Sequence, residues 1–387
     1  MSIKIAYCIP SIYIVGGMER TLTIKANYLA DKLNYKVCII LTDGKDKKPA
    51  YNLSDKIEVI NLDLNYDKIN SYSFIRKIFL YSVKQWLYKK RLIKVLKEIK
   101  PDITISMLRR EINFITEIKD GSIKIGELHV NKNNFRDFNT TGYVNAIKRF
   151  FAKLWMRQLI GKLKRLERFI VLSYEDKQKW SDINGVKVIY NPIVPPANVS
   201  DCSSKKIIAA GRFVSQKGFD MLIDIWKIVS LKHPDWTLSI YGSGEKESFI
   251  KQVERNNIGD TCFLLDAVPN LNDKLAESSI FAFSSRFEGF SMLMIEAVAC
   301  GLPPVSFACP CGPKDVIENG VNGFLIENGD LQGFADKICN LIENEERRKE
   351  MGRMAQVRSE QYCIDKIAAE WDEMFRSLVN SRGLSNQ

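Results

Sequence analysis

Two carboxylates, Glu288 and Glu296, stand eight positions apart in the stretch that most constrains how this chain can fold. The apolar run at 279–285 that precedes them is typical of a buried parallel strand. Residues 292–300 that follow have the composition of a helix. The pattern therefore predicts a strand, a loop and a helix, with one carboxylate in the loop and the other inside the helix.

The turn between this strand and this helix has the composition of an anion-binding loop. Gly289 permits a tight turn, and Ser291 can cap the helix. Backbone N–H groups at a helix start favour an anion, so we expect the ligand to contact the residues there: Phe290, Ser291, Met292 and Leu293. Carboxylates accept hydrogen bonds from sugar and ribose hydroxyls. Hydroxyl acceptors on both sides of a phosphate-binding turn suit a nucleotide sugar.

Two solvent-exposed glutamates would be a simpler interpretation of the same pair. The neighbours of Glu296 weaken it, because they make the helix apolar nearly all round: Leu293, Met294, Ile295, Ala297 and Val298. A carboxylate buried in such a helix needs a partner.

The spelling of this stretch resembles the Glu-x7-Glu signature of the retaining glycosyltransferases of family 4. Ser-Ser-Arg-Phe precedes Glu288, and Ala-x-Ala-Cys-Gly-Leu-Pro follows Glu296. Members of that family have the GT-B architecture, in which two Rossmann-like α/β domains with doubly wound parallel sheets face a central cleft. The resemblance implies that Glu288 binds the hydroxyls of the donor sugar and that Glu296 binds the ribose.

A second glycine-containing loop follows the strand predicted at 206–210. Arg212 and Lys217 flank this loop and can reach one anion, the first with a forked guanidinium and the second with a point charge. Two surface cations without a ligand would be the simpler interpretation. The loop, which begins at Gly211, resembles the Gly-Arg…Lys-Gly loop of the family. The resemblance implies that both cations neutralise the diphosphate leaving group.

Two further positions belong to the expected donor site. Gly242 ends the strand predicted at 236–241 and is expected to shape the pocket in a tight turn. Val268 lies in the segment 266–270, whose backbone could hydrogen-bond the edge of a base.

The N-terminus shows a strand at 3–9, a Gly16-Gly17 pair and a helix that runs to about residue 33. A glycine pair between a strand and a helix is typical of a ligand loop, although most such pairs are only turns. With Arg20, the Gly-Gly-x-Glu-Arg spelling resembles the first loop of the family. That loop closes over the diphosphate and sugar of the donor, and we expect Arg20 on the acceptor side.

His129 closes the strand predicted at 123–129, together with Glu127. A single histidine is usually structural, but open α/β sheets place ligands at the carboxyl ends of their strands. The position also resembles the acceptor-side histidine of the family. We therefore expect His129 to be catalytic, with Glu127 beside it on the acceptor side.

A proline-rich break at 191–196 predicts the domain boundary. The expected parts are an acceptor-binding domain at 1–192, a donor-binding domain at 193–364, and a C-terminal segment at 365–387. By resemblance, that last segment is a helix that crosses back to the first domain, and we expect a frayed tail from 382.

Positive charge is concentrated in the first half of the chain. Residues 1–192 contain 36 Lys and Arg against 19 Asp and Glu, whereas the whole chain has a net charge of +11. Two segments, 74–100 and 147–168, have apolar residues at helical spacing with basic residues between them. In the second, the clustered residues are Phe150, Phe151, Leu154 and Trp155, with Lys148, Arg149, Lys153 and Arg157. The pattern predicts docking on an anionic membrane surface, although both apolar faces could simply pack on the sheet.

No apolar run approaches the ~20 residues needed to cross a bilayer, and the N-terminus lacks the pattern of a signal peptide. We expect a cytoplasmic protein, peripheral at the inner face of the cytoplasmic membrane. Cys309 and Cys311 form the only close pair among nine cysteines and have no nearby histidine, so we expect no metal and no cofactor. The basic residues lie on amphipathic helices, which argues against a nucleic acid partner.

The function expected from all these observations is transfer of a hexose or N-acetylhexosamine with retention, to a glycan or lipid-linked saccharide acceptor. The segment 309–314 resembles bacterial enzymes that build surface polysaccharides from UDP-sugars. An epimerase or hydrolase of nucleotide sugars and a non-catalytic membrane-surface protein remain as alternatives. A NAD-dependent dehydrogenase is disfavoured because neither loop spells Gly-x-Gly-x-x-Gly.

Overall fold

A computed structural model of the chain describes residues 2–67, 73–132 and 156–385. The chain forms two compact units. Unit 1 contains Met1–Pro192 and Ile364–Gln387, and unit 2 contains Ile193–Cys363.

Each unit is built on one parallel sheet. The strands of unit 1 are β1 (Lys4–Ile9), β2 (Lys36–Leu41), β3 (Glu58–Asn61), β4 (Ile103–Ser106), β5 (Ile123–Glu127), β6 (Arg168–Val171) and β7 (Val186–Val188). Those of unit 2 are β8 (Lys206–Ala210), β9 (Thr237–Gly242), β10 (Cys262–Asp266), β11 (Ile280–Phe283), β12 (Pro304–Phe307) and β13 (Phe324–Ile326). The strand orders are β3-β2-β1-β4-β5-β6-β7 and β10-β9-β8-β11-β12-β13.

The helices of the described residues are α1 (Gly17–Asp31), α2 (Phe74–Ile99), α3 (Tyr174–Lys179), α4 (Phe219–Lys232), α5 (Glu247–Arg255), α6 (Leu271–Ala276), α7 (Met292–Ala299), α8 (Pro313–Val316), α9 (Leu331–Glu343), α10 (Glu345–Ser359) and α11 (Ile364–Ser385). None of these described helices has both the length and the apolar composition that a membrane-spanning segment requires.

The predicted fold class, two α/β domains with doubly wound parallel sheets, is confirmed. All the strand pairs are parallel, and central strands such as β11 are completely buried, which explains their continuous apolar sequences. Each sheet grows in both directions from its middle, so the strand order reverses between β1 and β4 and again between β8 and β11. Ligands of open α/β sheets bind at the carboxyl ends of the strands, beside such reversals.

Helix α11 completes the core of unit 1. Its buried face packs against apolar residues of strands β1, β2 and β4. The buried residues of the helix are Ile367, Trp371, Met374, Phe375 and Leu378. Tyr28 and Tyr35 each donate a hydrogen bond of 2.6 Å to a carboxylate of this helix, Asp365 and Asp372 respectively. The helix continues to Ser385, past residue 382 where the sequence predicts a frayed tail.

Helix α2 has one buried face and one exposed stripe. The buried face packs on the sheet of unit 1 through Tyr88, Leu92, Leu96 and Ile99. The exposed stripe begins with large apolar side chains, Phe79, Val83 and Trp86, and continues with Lys90, Lys94 and Lys97. Phe79 is 68% exposed and Trp86 is 61% exposed.

Most of the second basic segment, including Lys148, Arg149, Phe150, Phe151, Lys153, Leu154 and Trp155, lies outside the described residues. Residues 156–163 are helical. Leu159, Leu163 and Leu166 are buried in the core of unit 1. These three leucines therefore pack on the protein, as the alternative interpretation of the segment expects.

Candidate functional site

In unit 2, Lys217 and Glu288 lie on the two loops at the reversal between β8 and β11. Lys217, on the loop after β8, forms an ion pair of 2.6 Å with the Oε1 atom of Glu288, on the loop after β11. The hydroxyl of Ser285 donates a hydrogen bond of 2.7 Å to the same oxygen. Glu288 is only 6% exposed, so this carboxylate has lost most of its water and depends on these contacts.

Further hydrogen bonds hold the two loops together. The Ser284 hydroxyl donates to the Lys217 carbonyl at 2.9 Å, and the Gln216 amide donates to the Phe287 carbonyl at 3.0 Å. Arg286 binds Asp220 through two parallel hydrogen bonds of 2.8 and 2.6 Å. The hydrogen bond from Arg286 lowers the pKa of the Asp220 carboxyl. These hydrogen bonds fix the two loops that carry Lys217 and Glu288.

The turn at Gly242, after β9, lies directly against the loop after β8. A Cβ atom at Gly242 would collide with the carbonyl oxygen of Gly211 and press on the ring of Phe213. The Phe213 N–H donates to the Ser243 carbonyl at 2.8 Å. Only a glycine lets the two loops approach this closely.

Arg212 is exposed on the loop after β8, next to Gly211. It forms no ion pair with any residue that the structure describes, so its charge is not neutralised within the described chain. Val268 follows β10 at the same edge of the sheet and is half-buried.

Helix α7 begins where the sequence predicts, with Met292 and Leu293 in its first turn. Ser291 caps it, because its hydroxyl accepts a hydrogen bond of 3.4 Å from the Met294 N–H. Glu296 is buried in the second turn. Phe290 packs against the ring of Tyr362 with the centroids 5.8 Å apart, which anchors the start of the helix.

The loop after β12 contacts the residues on both sides of Gly289. The Glu288 N–H donates to the carbonyl of Pro310 at 3.2 Å, and Gly312 lies against Phe290 and Ser291. The cysteines on either side of Pro310 are buried. Among the described residues, no three His, Cys, Asp or Glu side chains are grouped as metal ligands would be.

In unit 1, the glycine pair lies at the carboxyl end of β1. Gly16 precedes α1 and its carbonyl accepts a hydrogen bond of 3.0 Å from the Arg20 N–H. Gly17 is exposed as the first residue of the helix, and the Arg20 side chain is half-buried one turn later. The loop therefore has the strand-to-helix geometry that the sequence predicts.

Glu127 and His129 lie at the carboxyl end of β5, two strands away from β1. The Nε2 atom of His129 is 3.1 Å from the Oε1 atom of Glu127. The other carboxylate oxygen, Oε2, is 2.5 Å from the ammonium nitrogen of Lys25 on α1. Burial raises the pKa of the Glu127 carboxyl, but Lys25 and His129 outweigh burial and lower that pKa to about 2. Glu127 is therefore a buried, ionised carboxylate between two partners.

The sequence analysis assigned no role in the site to Lys25, to Ser285, or to Trp371, whose ring centroid lies 3.9 Å from the ammonium nitrogen of Lys25. Lys25 had a recognisable signal, because it stands between Leu22, Ala26 and Leu29 on the apolar face of a helix, where a charge needs a partner. The sequence indicates that Ser285 ends a strand, but it does not show that the Ser285 hydroxyl binds Glu288, three residues later. Trp371 belongs to the apolar face of α11, and no local pattern connects it with Lys25.

Comparison with known proteins agrees with the fold described above. Residues 194–358, nearly all of unit 2, match the family described as Glycosyl transferases group 1. A structure of the pneumococcal O-GlcNAc transferase GtfA in complex with UDP and GlcNAc superposes with a TM-score of 0.74 at 15% identity. That superposition covers 98% of this chain and 99% of GtfA. The fold is thus the GT-B fold of known glycosyltransferases.

Two curated bacterial proteins show the relationship in sequence. An uncharacterized glycosyltransferase of Haemophilus influenzae is 29% identical over 375 residues, covering 95% of this chain and 98% of that protein. The poly(ribitol-phosphate) alpha-N-acetylglucosaminyltransferase of Staphylococcus aureus is 28% identical over 260 residues, covering 66% of this chain and 51% of that protein. The chain is accordingly similar in sequence to bacterial glycosyltransferases and has the GT-B fold, and its residues 194–358 match the glycosyl transferases group 1 family.

Proposed function

We propose that this chain is a retaining glycosyltransferase that takes a hexose or N-acetylhexosamine from a UDP-sugar. The acceptor in this proposal is a glycan or a lipid-linked saccharide of bacterial polysaccharide biosynthesis. The observation that carries the proposal is the Lys217–Glu288 ion pair of 2.6 Å at the reversal point of the unit 2 sheet.

The pair combines the two chemistries that a nucleotide sugar needs. Glu288 supplies an acceptor for sugar hydroxyls, and Lys217 supplies positive charge for the diphosphate. Arg212 on the same loop adds a second cation. As the sugar leaves, negative charge grows on the diphosphate, and preorganised cations stabilise that charge without reorganisation of water. We therefore assign leaving-group stabilisation to Arg212 and Lys217.

The nucleotide end is assigned to α7 and the neighbouring loops. The free N–H groups at the start of α7 favour a phosphate, and Glu296 is assigned to the ribose. Val268 is assigned to the base through its backbone. The UDP bound to GtfA in its crystal structure supports uracil as the base.

Unit 1 is assigned to the acceptor. Arg20, Glu127 and His129 lie at the carboxyl ends of β1 and β5, where an α/β sheet binds ligands. His129 is the catalytic residue among them in this proposal. The S. aureus relative is named as a poly(ribitol-phosphate) glycosyltransferase. That name supports a surface polymer or its precursor as the acceptor.

The proposed reaction needs neither a metal ion nor a cofactor. Lys217 and Arg212 already supply the positive charge that a divalent cation would bring to the diphosphate. Activity should therefore persist in excess EDTA, and a requirement for Mg²⁺ or Mn²⁺ would contradict this part of the proposal.

An anionic membrane surface is the proposed partner of α2. Its exposed stripe places Phe79, Val83 and Trp86 in line with Lys90, Lys94 and Lys97. Apolar side chains that enter the lipid interface beside lysines that meet anionic headgroups are typical of peripheral membrane helices. Such docking would bring a lipid-linked acceptor to the enzyme and would place the protein at the inner face of the cytoplasmic membrane.

The experiment is a thermal-shift screen of UDP-, GDP- and ADP-sugars, followed by transfer assays with the donor that stabilises the protein. A ligand at 100 times its Kd adds about 2.7 kcal/mol of stability, so weak donors also register. NMR of the product then gives the anomeric configuration, which should match that of the donor. Turnover of the donor without any acceptor would favour the epimerase or hydrolase, and donor binding without turnover would favour a non-catalytic protein.

A further inference from the structure

The carboxylate of Glu127 has two partners, a lysine ammonium and a histidine imidazole. One oxygen binds the Lys25 ammonium at 2.5 Å, and the other lies 3.1 Å from Nε2 of His129. Lys25 is 1% exposed and Glu127 is 2% exposed, so water cannot replace either partner. A charge buried this deeply is stable only when the partners around it are complete.

Lys25 is enclosed by aromatic rings as well as by the carboxylate. Its ammonium nitrogen lies 3.9 Å from the ring centroid of Trp371 on α11 and 5.2 Å from that of Tyr7 on β1. The faces of aromatic rings attract a cation, most strongly in the absence of water. The C-terminal helix thus helps to keep a positive charge at the end of this cluster.

We propose that Lys25 is a positioning residue that, through Glu127, keeps the Nδ1 atom of His129 unprotonated and able to accept a hydrogen bond. The proposal rests on the function assigned to His129 above. Lys25 itself does not touch the substrate, and Trp371 acts with it by enclosing its charge.

The reason is a balance of charge and protons within the buried group. With Lys25 charged and Glu127 ionised, the group is neutral when His129 is neutral. The Nε2–H of His129 then donates to Glu127, and the other ring nitrogen, Nδ1, carries the lone pair.

Without the charge of Lys25, the same balance moves the proton. Glu127 would then pair with an imidazolium, or it would become protonated and donate its own proton to Nε2. Both forms place a proton on Nδ1, because a neutral ring that accepts at Nε2 is protonated at Nδ1. In either form, His129 can no longer accept a hydrogen bond from an acceptor hydroxyl.

The chain has two histidines, which makes a direct test possible. We expect ¹⁵N spectra of histidine-labelled protein at pH 8 to show His129 with a protonated Nε2 and an unprotonated Nδ1. The His233→Gln variant assigns the two rings. In Lys25→Met, Nδ1 of His129 should become protonated, whereas in Lys25→Arg, which keeps the charge, it should stay unprotonated. The matched control is Lys32→Met, a change of an exposed lysine at the end of the same helix.

Kinetics give the second readout. Lys25→Met should lower kcat at least tenfold with little change in the KM for the donor, and Lys25→Arg should restore part of the loss. A protonated Nδ1 in the wild-type protein would overturn the proposal, even if Lys25→Met fails to fold. An unchanged His129 spectrum in folded Lys25→Met would also overturn it. Failure of the proposed function would appear differently, as no sugar transfer by the wild-type protein, and would leave the spectra unchanged.

Discussion

Gly218 lies directly against the carbonyl oxygen of Ser284, so that the loops after β8 and β11 touch without a side chain between them. Its backbone has a φ of 64°, in the left-handed region that side chains disfavour. The contact stands next to Lys217 and fixes the distance at which Lys217 meets Glu288.

Replacing Gly218 with alanine should destabilise unit 2 and weaken donor binding together. A left-handed alanine costs roughly 1–2 kcal/mol, and the collision with Ser284 adds about 1–3 kcal/mol. Urea unfolding and calorimetric titration with UDP are the measurements. Gly320→Ala is the matched control, because Gly320 has a φ of 83° and no atom near the position of the new Cβ. Equal losses in both variants would mean that the approach to Ser284 is unimportant.

Both cations of the loop after β8 should be needed for turnover, and Lys217→Ala should also destabilise unit 2 because it removes an ion-pair partner of the buried Glu288. Lys217→Ala and Arg212→Ala each remove charge aimed at the leaving diphosphate, which typically raises the barrier by ~2.7–4 kcal/mol. We expect kcat with a UDP-sugar to fall about 100- to 1,000-fold. Lys205→Ala, at an exposed lysine paired with Asp235, should have no such effect. Near wild-type rates in either loop variant would refute the phosphate assignment.

The two glutamates of the Glu-x7-Glu stretch should separate into different roles. Glu296→Gln should weaken the binding of free UDP, by about 1.5–3 kcal/mol for a lost hydrogen bond to a charged group. Glu288→Gln should leave UDP binding nearly unchanged and impair the use of the sugar. Titration calorimetry with UDP and steady-state kinetics with the UDP-sugar measure the two effects. If both variants weakened UDP binding equally, the division of roles would be wrong.

The buried carboxylate of Glu127 predicts a pH dependence of stability. Its pKa in the folded protein, about 2, lies below the ordinary value of 4.5, so the ionised form stabilises the fold. This contribution is complete above pH 4.5 and is lost as the pH falls from 4.5 through the folded pKa of about 2.

Glu127→Gln should therefore cost most near neutral pH, about 3–5 kcal/mol, because it leaves Lys25 buried without its partner. The gap between the wild type and the variant should narrow as the pH falls through this window. Urea unfolding at a series of pH values measures it, with Asp235→Asn as the control at an exposed ion pair. A gap that stays constant from pH 7 to pH 3 would contradict the ionised Glu127.

Vesicle flotation tests the membrane surface assigned to α2. The full chain should bind vesicles rich in anionic lipid, bind neutral vesicles weakly, and dissociate as salt rises. Changing Phe79 and Trp86 together to serine should reduce this binding and leave activity on a short soluble acceptor intact. Leu231→Ser, at an apolar residue of unit 2 that is even more exposed, should not reduce vesicle binding. If the wild type ignores anionic vesicles at low salt, the stripe has another use and a soluble glycan becomes the better acceptor.

The parts of the fold and site that local sequence could predict are those that local chemistry determines. The strand at 280–283, the turn at Gly289 and the cap at Ser291 each follow from residues within a few positions. Apolar runs predicted the strands at 3–9, 123–129, 206–210, 236–241 and 279–285 with errors of one or two residues, because these strands are largely buried.

The contacts that define the site could not be predicted in this way. Lys217 and Glu288 are separated by 71 residues, and Lys25 and Glu127 by 102. These pairs form because β8 lies beside β11 and because α1 packs on the sheet of unit 1. The order of the strands in a sheet cannot be deduced from the sequence of any one segment. The end of α2 shows the same limit, since Lys100 takes the left-handed conformation, with a φ of 45°, that a glycine usually supplies.

The composition of unit 1 also determines the order in which the chain can mature. The seven described strands of unit 1 are synthesised before unit 2, yet Trp371, Phe375 and Leu378 of its core lie on α11, which follows unit 2. Unit 2 is continuous in sequence, so a growing chain contains all of unit 2 before unit 1 is complete. During translation, the apolar surface that α11 covers stays open until residues 364–385 emerge. A message cut short before residue 364 would therefore yield a protein with a complete unit 2 and an uncovered, aggregation-prone sheet in unit 1.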